Sequence, residues 1–512
     1  MSAQSPAMMG GNRRAITACV MLATLMQSLD TTIANVALPY IQGSVAASQD
    51  EMGWVLTSYI VAAAIMTPAT GHLAGRFGLK RLFLISVVGF TVASMLCGLA
   101  QSLVEIVLFR ILQGMFGAAL VPLSQSVLID INPRERQGSA MALWSIAVMA
   151  GPVLGPIIGG WLTENYSWRF IFYINLPIGL LAFFGMTVFL KGSAPKAAAK
   201  LDWFGFACLS LAIGALQVML DRGEELDWFS SGEIVIEAIL GASAFYLFLV
   251  HTFTARAPFL RPSLFRNRNY VAGALFGVSI GLTYYASLAL QPPYLQHLMN
   301  YPIVSAGLVM APRGLGTMGA MLIVGRLVGR VDTRVLLSVG LTLTAWSFFT
   351  MTRWTPDVSH SVIMAVGVVQ GFGLSFLTVP INVVTLSSLS SEVRAEGAGF
   401  STLARNLGSG VGISVVNSLL TRNTQVNHAA IAQHVTTVNR GFEDPMIAQF
   451  WNPGTAAGRA ALDAVITRQA QIIAYIDDYK LLLIATLAVI PLLLVFKTPS
   501  RDGAQPQTIV VE

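Results

Sequence analysis

The sequence predicts an all-α integral membrane protein with two six-helix pseudo-symmetric bundles plus two extra transmembrane helices, fourteen spans in all. Three observations predict it. The 512 residues are 54% apolar and only 11% charged, where a soluble domain carries about 25% charged residues. Apolar segments long enough to cross a bilayer recur along the chain, and mean hydropathy is +0.67. Landmarks of the first half return in the second at a nearly constant offset.

The segments fall at 15–40, 52–73, 82–100, 103–128, 138–162, 169–190, 203–220, 233–254, 270–295, 303–325, 335–352, 361–388, 396–420 and 480–497. The first is too long for a signal-peptide core and has no cleavage pattern, so it reads as a retained span. Alternate loops carry Arg76, Lys80 and Arg81, then Arg134 and Arg136, then Lys191, Lys196 and Lys200. The series continues with Arg256 to Arg268, then Arg326, Arg330 and Arg334, then Arg394, with Lys497 and Arg501 in the tail. The opposite loops hold Asp50, Glu51, Glu105, Glu164, Asp221 to Asp227 and Asp357. Basic residues collect on the cytoplasmic side of short loops, so both termini are expected in the cytoplasm. The net charge of +6 and pI near 9.3 therefore report topology rather than nucleic-acid binding.

Gly71-His-Leu-Ala-Gly-Arg-Phe77 is echoed by Gly325-Arg-Leu-Val-Gly-Arg-Val331. Gln113-Gly114 and Val121-Pro122 are echoed by Gln370-Gly371 and Val379-Pro380, and Gly138 by Gly397. The offset stays within about 254–259 residues. Both copies of the glycine-arginine loop fall on the same face, so the halves run parallel about an axis along the membrane normal. The expected division is 1–190 for the first bundle, 191–264 for the two inserted helices, and 265–512 for the second bundle. The last includes a long outer loop over 421–479, in which 456–476 has helical spacing and reads as a lid or as a docking surface for a periplasmic partner.

Asp30 lies about 24 Å of helix beyond Arg14 and about 15 Å before Tyr40. A carboxylate at such depth costs about 2.5–3.5 kcal/mol to insert and marks function, unless it is a structural hydrogen bond between helices. Arg110 enters the fourth span about 10 Å from its outer end. It needs a partner or a wet cavity, and Asp30 is the candidate, directly or through Gln113 and water. The two form a proton-coupling pair or a static buried ion pair.

The fifth span reads Gly151-Pro152-Val-Leu-Gly155-Pro156-Ile-Ile-Gly159-Gly160. Glycine at every fourth position clears one face for another helix, and the prolines interrupt the hydrogen-bond ladder and allow bending. Arg313 and Arg405 also sit within apolar segments, as substrate contacts or structural groups. Gln27, Asn35, Gln291 and Asn382 line a polar cavity or tie helices together. Cys19, Cys97 and Cys208 read as small buried hydrophobes. No metal-spaced histidine cluster, phosphate loop or nucleophile elbow is present, so neither a metal, ATP drive nor an enzyme is expected.

At these residues the chain resembles the fourteen-span drug:proton antiporters of the major facilitator superfamily, of the EmrB/QacA type. Leu29 to Pro39 looks like the family's first-span motif, Gly71 to Arg81 (with Gly78) like the cytoplasmic loop motif, Arg110 to Gly117 like the fourth-span motif, and Gly151 to Gly160 like the antiporter motif. Trp168 to Gly179 and Asp221 to Ser231 are also typical of it. The loop motif departs at Gly75, where relatives carry an acid. Another interaction, through Arg76 or Arg136, would then close the cytoplasmic gate. The resemblance implies export of lipophilic or amphiphilic compounds from the bacterial inner membrane by alternating access. The driving force would be the proton gradient, with no cofactor. Asp30 would be the proton site, Arg110 its modulator and Gly151 to Gly159 the conformational spine. In Gram-negative relatives a periplasmic adaptor and an outer-membrane channel complete the route. The alternatives are a dedicated exporter of one endogenous metabolite and a non-transporting scaffold or sensor.

Overall fold

In the first half, α1 spans Arg13–Val45, α2 Gln49–Met66, α3 Leu79–Leu99, α4 Leu103–Ile131, α5 Arg134–Asn165 and α6 Asn175–Phe189. The inserted pair is α7 (Trp203–Arg222) and α8 (Gly232–Thr254). The second half comprises α9 (Arg268–Leu298), α10 (Ile303–Leu327), α11 (Thr333–Met351), α12 (His360–Ser387), α13 (Arg394–Ala432) and α14 (Ala456–Ala488). The computed structural model describes residues 13–45, 49–191, 202–256, 258–435, 450–452 and 454–496. Lys196, Lys200, Lys497 and Arg501 of the expected basic loops lie outside the described residues.

Among the described residues, thirteen helices are long and apolar enough to cross a bilayer. Helix α13, whose apolar run is diluted by Arg405, Asn406 and Asn417, falls short of this measure, yet it packs lengthwise on α9 and α14 and makes the fourteenth. Side-chain oxygens start several helices: Ser102 accepts from Glu105 N, Asp202 from Gly205 N, Asn267 from Tyr270 N, and Asp332 from Arg334 N. Each satisfies an amide that the first turn leaves open. Past α2 the chain runs through a 3₁₀ turn, Thr67–Ala69, and a short helix, Thr70–Phe77, to Gly78. Gly78 has φ 82°, a conformation that a side chain resists.

The packing repeats between halves. In the first, α1 packs on α5, and α2 and α3 pack on α4; in the second, α9 packs on α13, and α10 and α11 on α12. The halves meet by the same rule taken twice. Helix α5 packs along α10, and α13 packs along the end of α2 and its extension to Phe77. One core cluster joins Met141 and Trp144 of the first half to Met321 and Val324 of the second. The inserted helix α7 rests on α2 and α13, with Thr57 Oγ1 donating to Asp221 at 2.8 Å and Ser414 Oγ to the Leu220 carbonyl at 3.2 Å.

Helix α5 runs as one helix through Pro152 and Pro156; the side chain of Pro156 lies outside the described residues. Two local expectations need correction. Span four, expected as one segment, is interrupted between Gly117 and Leu120. The segment 456–476 is no separate lid. It is the first two-thirds of α14, which runs unbroken to Ala488 and pairs lengthwise with α13. Ile466, Ile472 and Tyr475 are buried there, while Val465 and Ile473 face outward.

Candidate functional site

Three helices of the first half converge on Asp30, which is 0% exposed. Arg110 of α4 donates from Nη1 to Asp30 Oδ2 at 2.6 Å. Gln113, one turn on, donates to Oδ1 at 2.7 Å and accepts from Arg110 at 2.9 Å. Asn175, at the start of α6, donates to Oδ1 at 3.1 Å and to Ser94 Oγ at 2.9 Å. The guanidinium also donates from Nε to the Val55 carbonyl at 3.0 Å and lies 4.3 Å from the Tyr59 ring centroid. Gln27 donates to the Tyr59 hydroxyl at 3.2 Å. A buried ion pair is tolerated only when its remaining donors and acceptors are satisfied, and here α1, α2, α4 and α6 each supply partners.

The sequence reading paired Asp30, Arg110 and Gln113, and the structure brings them together. It missed Tyr59, the Val55 carbonyl and Asn175. Asn175 was visible only as part of a familiar stretch, and Tyr59 only as an aromatic in an apolar run. Asn35 does not join the site; it is exposed at the far end of α1.

The glycine spine lies against α1. A Cβ on Gly151 would fall on Ser28, on Gly155 on Thr32, and on Gly159 2.7 Å from Ile33 Cγ1. Thr32 Oγ1 also donates to the Gly151 carbonyl at 3.0 Å. The helix carrying Asp30 is thus seated directly on α5 within one turn of the acid.

At its other end α5 crosses α10. A Cβ on Gly138 would stand 2.7 Å from the Gly325 carbonyl, and one on Gly325 2.6 Å from Ala142 Cβ. On the pseudo-symmetric side, Gly71 abuts the Glu396 backbone and Gly399 the Thr67 carbonyl. Glu396 accepts from Arg261 N at 2.9 Å, and Asp130 forms an ion pair with Arg394 across the halves. The halves are therefore closed together on the face that carries the basic loops. Arg76, Arg81 and Arg136 are exposed there. Among the described residues an inter-half ion pair is formed by Asp130 with Arg394, and the expected closure through Arg76 or Arg136 has no counterpart among the described ion pairs. Gly75 has open space around it.

Between the halves lies a small cavity of about 20 Å³, room for about one water. Gln125, Asn382, Thr385, Ser401 and Arg405 line it, which unites two predicted cavity residues. Gln291 and Arg313 belong to a different cluster inside the second half. Arg313 is 5% exposed and donates to Gln291 at 2.7 Å and Gln370 at 3.3 Å, with the Tyr284 ring 5.7 Å away. The repeat explains this cluster. An offset of about 254–257 carries Asp30 to Tyr284, Tyr59 to Arg313, Arg110 to Gly367 and Gln113 to Gln370. The cation stands where the first half has the ring, the ring where it has the acid, and a glycine where it has the cation. Among the described residues no group of three His, Cys, Asp or Glu side chains converges as a metal site would require.

A family model described as the Major Facilitator Superfamily matches residues 20–413. The chain belongs to the major facilitator superfamily. This superfamily transporter is 35% identical over 502 residues to the fatty acid resistance protein FarB of Neisseria gonorrhoeae, covering 97% of this chain and 99% of FarB. It is 36% identical to the multidrug export protein EmrB of Escherichia coli K12, covering 83% of each chain. The same fold occurs in the human organic anion transporter MFSD10, with TM-score 0.58 and 14% identity over 93% of this chain and 99% of that one. The proton:xylose symporter XylE matches with TM-score 0.58 and 14% identity over 92% and 96%. The all-helical membrane architecture expected from the sequence is that of the superfamily.

Proposed function

We propose that the chain is a proton-coupled exporter of lipophilic or amphiphilic compounds, working by alternating access. It would form the inner-membrane part of a pump completed by a periplasmic adaptor and an outer-membrane channel. Both termini and the basic loops are cytoplasmic in this reading, so the closed face is the cytoplasmic one. Relatives named as multidrug export and fatty acid resistance proteins support the export direction.

The observation that carries the reading is Asp30, fully buried and bound to Arg110, Gln113 and Asn175. A proton arriving on this carboxylate removes the counter-charge of Arg110 and two strong acceptor sites. That loosens α1 from α4 and α6. Because α1 is seated on the α5 glycines, its movement is felt where Gly138 meets Gly325. Proton binding and the closure of the cytoplasmic face are therefore linked through two packed helices. Asn382, Arg405 and Gln125 form the part of the inter-half cavity that substrate meets.

The test is substrate movement in proteoliposomes on an imposed pH gradient. Wild type is expected to move substrate, and Asp30→Asn, correctly inserted, is expected not to. Full proton-driven transport by Asp30→Asn would overturn the assignment. A narrower reading, one dedicated amphiphilic acid such as a fatty acid, is favoured by the near full-length similarity to FarB. Transport of fatty acid but not of cationic dyes would select it.

A further inference from the structure

The second half holds an acid that this scheme does not use. Asp478 lies on α14, is 1% exposed, and neither carboxylate oxygen meets a hydrogen-bond donor among the described residues. Burial without donors disfavours a charged carboxylate strongly, and a neutral acid far less. The neighbourhood repeats the pattern. Tyr475 and Tyr479, on the same two turns, pack with Tyr294 and Trp354 at ring-centroid separations of 5.2–6.0 Å. The hydroxyls of Tyr294 and Tyr479 and the indole nitrogen of Trp354 also lack partners among the described residues. Five orphaned polar atoms thus gather in one aromatic cluster.

A cavity of about 370 Å³ opens beside this cluster, lined by His297, Leu298, Thr421, Thr424, Gln471 and Tyr475, among others. Gln471, Tyr475 and Asp478 follow the i, i+4, i+7 spacing of one helix face. Tyr475 walls the cavity, and Asp478 lies one turn further along α14. The groups around the acid are few. Tyr475 and Tyr479 come from its own helix, where Asp477 is paired with Lys480 at 2.9 Å. Helix α9 supplies Tyr294 and His297, and Asp357 lies near Tyr294. Helix α10 supplies Arg313, which acts on Tyr479. Helices α11 and α13 present apolar Phe348, Met351 and Val416.

We propose that Asp478 is a second proton-binding acid of the transport cycle, loaded from the face opposite the basic loops through this cavity. The proposal rests on the proton-coupled reading above. The proton passes from bulk water past Tyr475 to one carboxylate oxygen and leaves by the same bond. Arg313, which pairs with no acid among the described residues, is set against it through Tyr479.

Two measurements test this. Reversal of substrate flux against opposed pH and substrate gradients gives the proton-to-substrate ratio in proteoliposomes. Wild type is expected to exceed Asp478→Asn by one proton per substrate, with both inserted equally. A wild-type protein indifferent to the pH gradient would sink the proton-coupled reading itself, whereas equal ratios in wild type and variant would sink only the second site. The second measurement needs no variant. N,N′-dicyclohexylcarbodiimide reacts with protonated carboxyls in apolar surroundings. Mass spectrometry is expected to find its adduct on the Asp478 peptide at neutral pH, declining as pH rises. No adduct at any pH overturns the proposal.

Discussion

Arg110 and Asp30 form a buried ion pair at 2.6 Å that ties α4 to α1, and the guanidinium is capped on its other face by Tyr59 at 4.3 Å. Removing one partner leaves the other charged and unpaired. Arg110→Ala is expected to destabilise the fold by about 3–5 kcal/mol. The double variant Asp30→Asn/Arg110→Gln is expected to recover most of that without recovering transport. Thermal denaturation in detergent, read beside proteoliposome flux, separates the two effects.

Arg110→Lys should fail as well. A lysine keeps the charge but cannot donate at once to Asp30, Gln113 and the Val55 carbonyl in the planar arrangement that Arg110 uses. Flux is expected to fall at least tenfold with insertion unchanged. Near wild-type flux would mean that charge alone suffices.

Gly138 meets the Gly325 carbonyl where α5 crosses α10. Gly138→Leu is expected to hold the basic face open. A cysteine placed at Ser401, in the inter-half cavity, should then react with a membrane-impermeant maleimide from that face several times faster than in the Gly138 parent.

Asp130 and Arg394 join the halves at the same face, about one-eighth exposed. Asp130→Arg should weaken closure by about 2–3 kcal/mol, and the exchanged pair Asp130→Arg/Arg394→Asp should restore much of it. The same maleimide reactivity at Ser401→Cys reads the equilibrium. Failure of the exchange to restore closure would assign these residues a role other than pairing.

Asp202 ends the linker before α7. Burial raises its carboxyl affinity for protons, but donation from Gly205 N, Phe259 N and His251 outweighs this, and its pKa is lowered. A depressed folded-state pKa contributes stability above the unfolded value of about 3.9. That contribution is lost as pH falls through the lower folded value. Asp202→Asn should therefore lower the melting temperature at neutral pH and flatten its fall in this acidic window, as differential scanning fluorimetry would show.

The spans, the alternation of loop charge, the parallel repeat and the cost of Asp30 were all legible from the chain. Each depends on local composition and depth, and hydropathy measures these. The pairing with Arg110 was legible too, since a deep acid and a deep base need each other. The glycine spine was readable as a close-packing face, though not as the seat of α1. What the fold alone decided was which faces abut. Within a membrane, lipid is as apolar as leucine, so hydropathy does not say which side of a helix meets protein. Contacts across helices brought Asn175 and Tyr59 to Asp30, set Arg394 on Asp130, left Arg313 among glutamines and a tyrosine, and enclosed Asp478 with no donor among the described residues.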